Sequence, residues 1–180
     1  MTKLLKKLMS SGDFAEIYTD SSDISKFAFG RIVACDELFF IAELISPSGN
    51  YDGLLLKPTD DIIKICVETE YAEKMKILSG NFIKQEYPFN CDDLISQILL
   101  YAQEKKLIVS VELLHSGYDD ITGFADSVKD NWFIIKQIDR YGNYDGTAYA
   151  NKSDVTQISC NSENEISLLK LYNYNKLRRT

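Results

Sequence analysis

Histidine occurs once in these 180 residues, tryptophan once and proline three times. A single histidine, His115, with no second His or matched Cys beside it, does not make a typical zinc site. No metal or cofactor is therefore expected. There is no Gly-rich phosphate loop, no Gly-x-Ser-x-Gly elbow, and no Ser/His/Asp or Cys/His arrangement. No residue carries a catalytic signature, and a non-enzymatic role is the expectation. The four cysteines, Cys35, Cys66, Cys91 and Cys160, are 31, 25 and 69 residues apart. That spacing is neither a zinc knuckle nor CxxC, so it reads as buried reduced thiols in a cytoplasmic protein. Long apolar runs are also missing. Nothing approaches the ~20 residues of a membrane span, and Met1–Met9 lacks the apolar stretch and small-residue cleavage site of a signal peptide.

Basic charge is in short supply too. The net charge is −7, and it divides evenly. Residues 1–90 carry 10 basic and 14 acidic side chains, and residues 91–180 carry 10 and 13. Neither half has the cationic surplus that draws phosphate backbones or anionic membranes. The acidic pairs Asp60-Asp61, Asp92-Asp93 and Asp119-Asp120 stand at element boundaries, where turn and cap chemistry explains them; a divalent-cation site wants more oxygens at closer spacing.

What is present is periodic. Leu4 and Leu8, and Leu5 and Met9, predict an amphipathic helix with Thr2 as N-cap, stopped by Ser10-Ser11-Gly12. Short strands follow at Phe14–Thr19, at Phe27–Cys35 with Gly30 inside it, and at the bulky run Leu38–Ile45. Two more come at 54–57 and 62–67, and then a helix over Glu70–Leu78. Residues 81–91, with Pro88, read as a linker. A second amphipathic helix carries Ile95, Ile98, Leu99 and Ala102.

The strands then recur. Gly49-Asn50-Tyr51-Asp52-Gly53 returns as Gly142-Asn143-Tyr144-Asp145-Gly146, 93 residues on. Sliding the chain by 93 without a gap gives 13 identities, among them Gly30 on Gly123, Phe40 on Phe133, Asp61 on Asp154 and Leu78 on Leu171. This predicts a duplicated unit of about 90 residues, 1–80 and 92–180, with the halves paired about a pseudo-two-fold axis in a monomer or the chain joined as a homodimer.

An N-terminal helix, five short strands, a glycine inside the second and a short Asp-Ile-x-x-Ile final strand resemble the Sm-like family. The resemblance spans Gly30–Ile65 and Gly123–Ile158. It implies an α+β, mainly β fold: two five-stranded SH3-type barrels. RNA binding would be the family's function, but Asp36-Glu37, Lys129-Asp130 and Pro58-Thr59-Asp60-Asp61 stand where its RNA-contacting residues belong, and the acidic charge opposes it.

The pentapeptide reads as a hairpin turn, with glycines for φ > 0 and Asn and Asp bonding their own backbone. Such a turn needs no aromatic at its tip. Tyr51 and Tyr144, with Asp52 and Asp145 beside them, are thus candidate contact residues, and Arg140-Tyr141 adds a cation and a ring. Trp132, in the place of Phe39, is expected to be packed. Tyr172–Arg179 is expected to fray. These features together predict a binding or scaffolding protein that meets a protein partner through hairpin loops and barrel edges, with RNA as the alternative partner and no membrane.

Overall fold

The computed structural model describes residues 1–80 and 85–179. Of the linker expected over 81–91, residues 81–84 lie outside the described residues, and 85–90 form neither helix nor strand. The chain divides into two compact units, Met1–Leu94 and Ile95–Thr180.

In the first unit α1 (Thr2–Ser11) is ended by Gly12, whose φ of 67° is left-handed and whose N–H reaches the Leu8 carbonyl. Thr2 is not the cap; it is already helical, and Met1 holds the cap position without a side-chain bond. The strands are β1 (Phe14–Tyr18), β2 (Ala28–Cys35), β3 (Phe39–Ile45), β4 (Tyr51–Pro58) and β5 (Lys64–Cys66), with a single 3-10 turn at Thr59–Asp61 and then α2 (Glu70–Leu78). All pairings are antiparallel, in the order β5-β1-β2-β3-β4. Alternation along the strands sends side chains to two faces. One face packs Ala15, Ile17, Ile32, Phe40 and Ala42 against Leu5 and Leu8 of α1. The other packs Phe29 and Ile45 against Ala72 and Met75 of α2.

The second unit repeats this plan with α3 (Leu94–Lys105), β6 (Ile108–Leu113), β7 (Ile121–Val128), β8 (Trp132–Ile138), β9 (Tyr144–Asn151), a 3-10 turn at Lys152–Asp154, β10 (Val155–Cys160) and α4 (Glu163–Arg179). Its order is β10-β6-β7-β8-β9, again antiparallel. Both units are α+β and mainly β. Residues 172–179, expected to fray, continue α4, which runs to 17 residues against nine in α2.

The closed barrel is not found: among the described residues β4 and β5 are not bonded to each other, nor are β9 and β10. In the first unit β5 is three residues long, and all three are spent on Glu16–Tyr18 of β1.

From β7 onward the offset of 93 holds at both ends of β7, β8, β9 and the 3-10 turn. Before that it slips. Ala15 faces Gly30 in the first unit, but Val109 faces Gly123 in the second, an offset of 94. Glu16 thus corresponds to Ser110, and the gapless alignment sets the first strand wrongly. A one-residue slip turns every side chain to the other face, and no identity precedes Gly30 to fix the register.

The strand glycines have one cause. A Cβ on Gly30 would lie 2.2 Å from the Glu43 carbonyl oxygen, and one on Gly123 would lie 2.0 Å from that of Lys136. Strand three crosses strand two too closely for any side chain.

Candidate functional site

The pentapeptide is not itself the turn. The hairpin is closed by Gly49 N–H to Ser46 O (2.9 Å) and Ser46 N–H to Asn50 O (2.8 Å), which puts Pro47-Ser48 at its tip. In the second unit the same bonds join Gly142 to Asp139 and Asp139 to Asn143, with Arg140-Tyr141 at the tip. The first glycine is left-handed in both copies (φ 87° and 79°) and lies against the C-terminal helix of its unit. A Cβ on Gly49 would be 2.6 Å from Leu78 O, and one on Gly142 2.6 Å from Tyr172 N and 2.7 Å from Leu171 C. The repeated Leu78/Leu171 and the repeated glycine are therefore two sides of one contact. The second glycine, φ 81° at Gly53 and 91° at Gly146, sits where the register with the third strand shifts. Two backbone demands, an αL turn residue and a bulge, fix the motif.

Tyr51 and Tyr144 open β4 and β9, facing Ile45 and Ile138. Tyr51 is half-buried, as is Asp52. Tyr51 is bonded to Tyr87, whose hydroxyl is pushed far up by burial, by its bond to Glu43 and by Tyr51. Tyr144 is 60 % exposed, its hydroxyl 2.9 Å from Thr147 Oγ1. Asp145 is exposed beside it. Arg140 lies over the ring of Tyr141, 4.8 Å from its centroid. Arg140, Tyr141, Tyr144 and Asp145 thus share one hairpin, and Tyr51 and Asp52 belong to the other unit. Trp132, expected to be packed, is 38 % exposed and lies 6.1 Å from Tyr149, which is 71 % exposed. The exposure follows from its neighbours. β9 carries Thr147-Ala148-Tyr149 where β4 carries Leu54-Leu55-Leu56, and among the described residues β9 is bonded only to β8.

The faces that carry α2 and α4 differ more. In the first unit this face is a cluster of rings: Phe29 with Phe14 (5.8 Å) and Tyr71 (5.3 Å), and Phe27 with Tyr71 (4.9 Å) and Tyr18 (5.2 Å). A cleft of about 140 Å³ lies there, lined in part by Phe14, Phe29 and Met75. In the second unit Phe27, Phe29, Leu44, Tyr71 and Ala72 become Asp120, Thr122, Gln137, Asn164 and Glu165. The rings are gone, and a pocket of about 490 Å³ opens, lined by those five residues with Ser110, Asp119, Arg140 and Ser167 and, as its apolar part, by Ile138, Leu168 and Leu171.

Glu165 at the back of this pocket is 2 % exposed and fully engaged. It accepts from Ser110 and Ser159 hydroxyls (2.8 Å each) and from the Ser162 N–H (2.8 Å), the capping-box bond of α4. Asp120 is a turn residue, as expected, accepting from Leu113 N–H (2.8 Å) and the Ser116 hydroxyl (2.6 Å), and the Ser116 bond foremost holds its carboxyl below the usual range. Asp119 is different. It makes no hydrogen bond or ion pair among the described residues. Although the residue is exposed, partial loss of water and the nearby carboxylates Glu165, Glu112 and Asp120 push its carboxyl up.

No group of three or more His, Cys, Asp or Glu is placed to hold a metal among the described residues. His115 is exposed in its loop. The four thiols are free; Cys35 and Cys160 are buried and Cys66 is half-buried. Cys91, expected to be buried, is exposed, because it falls in the polar stretch before α3. No described helix is long and apolar enough to cross a membrane. No protein-family model, curated protein or solved structure matches the chain.

The pocket was not anticipated, because Asp119-Asp120 looks like any turn. Its signal lay between the repeats: core-spaced Phe29, Tyr71 and Ala72 against Thr122, Asn164 and Glu165. Only the corrected register, with Ser110 opposite Thr122, makes that exchange coherent.

Proposed function

We propose that the protein is a non-catalytic binding or scaffolding module that engages a protein partner through its second-unit hairpin and the edge of β9. The observation behind this reading is β9 itself. Among the described residues it pairs on one side only, and Tyr144 and Tyr149 on it stand exposed beside Trp132 and the Arg140-Tyr141 tip. An open edge offers N–H and C=O groups for an added strand, and aromatic side chains with an Arg are the residue types that anchor protein interfaces. The same rings could stack bases, but a net charge of −7 works against a phosphate backbone.

Affinity capture from the native cell extract, with and without nuclease, tests the reading. A partner retained after nuclease, and lost from a Trp132→Ala/Tyr149→Ala variant that still folds, is the expected result. A partner released by nuclease would put RNA in its place. Capture unchanged in the variant would remove β9 from the account.

A further inference from the structure

The pocket of the second unit shares Arg140 with the hairpin tip but none of its other residues with the β9 surface, and the first unit offers the comparison. In the first unit the matching place is filled with rings. Exchanging Phe29, Tyr71 and Ala72 for Thr122, Asn164 and Glu165 leaves about 490 Å³ open, a volume typical of small-molecule sites.

We propose that this pocket binds a small organic ammonium compound, with Asp119 taking the charged nitrogen and Thr122, Gln137, Asn164 and Ser167 taking its neutral polar groups. Asp119, an exposed residue of the lining, is bonded to no other described residue, whereas Asp120 and Glu165 are already bonded to groups of the fold. Three carboxylates against one guanidinium leave the walls negative. The absence of a three-ligand cluster among the described residues, and a remaining wall of hydroxyls, amides and the apolar Ile138, Leu168 and Leu171, favour an organic cation over a metal ion. An ammonium group has three N–H donors, which suit one carboxylate and neighbouring amide or hydroxyl oxygens.

Calorimetric titration of the full chain with putrescine and with glucosamine, and with glucose as the uncharged counterpart, tests this. At least one amine is expected to bind, and glucose is not. Asp119→Asn should weaken binding at least about tenfold, the loss expected when a charged hydrogen-bond partner is removed. Thr122→Phe, which restores the first unit's ring, should abolish binding, and thermal unfolding of each variant reports whether it folds. The proposal fails if neither amine binds at up to about 10 mM, far weaker than specific recognition of a charge. It fails equally if glucose binds as well as glucosamine, or if Asp119→Asn leaves the affinity unchanged.

Discussion

Each unit buries a carboxylate at the N-terminus of its last helix, but the two carboxylates come from different elements. In the first unit it is Glu16 on β1, 5 % exposed, bonded by the Tyr18 hydroxyl (2.5 Å) and by Thr69, the N-cap of α2. That bond, with burial, pushes the Tyr18 hydroxyl up to about 12. In the second unit Ser110 takes the strand position of Glu16, and the carboxylate is Glu165 on α4, bonded to the residue before that helix. A helix start presents unpaired N–H groups and a positive dipole end. The need belongs to the helix, and either chain segment can supply the charge. Moving it to the helix frees the strand face of a large side chain, and with the rings also gone that face becomes a pocket.

A second exchange runs the other way. Glu43 has a fully buried side chain, held by Arg31 (2.5 Å) and by the Tyr87 hydroxyl (2.7 Å), and Arg31 also donates to the Gln85 carbonyl. The second unit has Lys136 and Phe124 at these positions. Lys136 pairs with Asp126 at an exposed site, and Phe124 packs edge-on against Tyr172, 5.0 Å away. One unit spans this part of the sheet with buried charge, the other with a ring and a longer helix.

Substitutions can break this comparison at known points. Arg31→Ala should be the most damaging, costing about 3–5 kcal/mol because Glu43 is left buried and unpaired. Lys136→Ala, at the matching exposed pair, should cost about 1 kcal/mol or less; equal losses in urea unfolding would show that Glu43 is not truly desolvated. Next come the hairpin glycines. Gly49→Ala and Gly142→Ala meet both a left-handed φ and a helix backbone, and should cost about 2–3 kcal/mol each. Gly146→Ala has open space around it and keeps only the conformational cost, about 1 kcal/mol. If all three lose the same stability, the packing against Leu78 and Leu171 contributes nothing.

The smallest effects concern acid. Asp119 has a raised pKa, so the folded chain holds its proton more tightly than the unfolded chain does. Its contribution therefore improves as pH falls through that raised value toward the ordinary carboxylate range. Asp120 is depressed, so its contribution is present above the ordinary value and is lost as pH falls through the folded one. Asp119→Asn and Asp120→Asn should tilt the stability–pH profile in opposite directions, measured by thermal melts between pH 3 and pH 7. Tilts of the same sign would mean that the two neighbours share one environment.

Much of the architecture could be read from the residues. The pairs Leu4/Leu8 and Leu5/Met9 marked α1 as amphipathic, although only Leu5 and Leu8 are buried and Leu4 is exposed; the run Leu38–Ile45 marked the interior strand β3, and the repeat at 93 set the bounds of four second-unit elements. The sequence misplaced what depends on partners far along the chain. Gly-Asn-Tyr-Asp-Gly looked like a turn because glycine permits φ > 0, but the turn lies two residues earlier, and its first glycine answers to a helix thirty residues away. Closure of a barrel could not be judged from strand order alone. The slip between Glu16 and Ser110 fell where no identity survived to register it. Among the candidate contact residues, Arg140, Tyr141, Tyr144 and Asp145 do gather on one hairpin, whereas Asp119 and Glu165 spoke only through comparison of the copies.

The segment 85–89 bears on how the chain matures during synthesis. Tyr87 and the Gln85 carbonyl complete the shell around Arg31 and Glu43, and Tyr87 stacks on Phe89, 5.5 Å away. A nascent chain that has emerged only as far as residue 80 has every strand of the first unit, yet its acidic centre still lacks two of its bonds. Domains emerging from a ribosome generally fold in order, N-terminal first. The shell around this buried pair is therefore complete only once residues 85–89, the trailing segment of the first unit, have emerged.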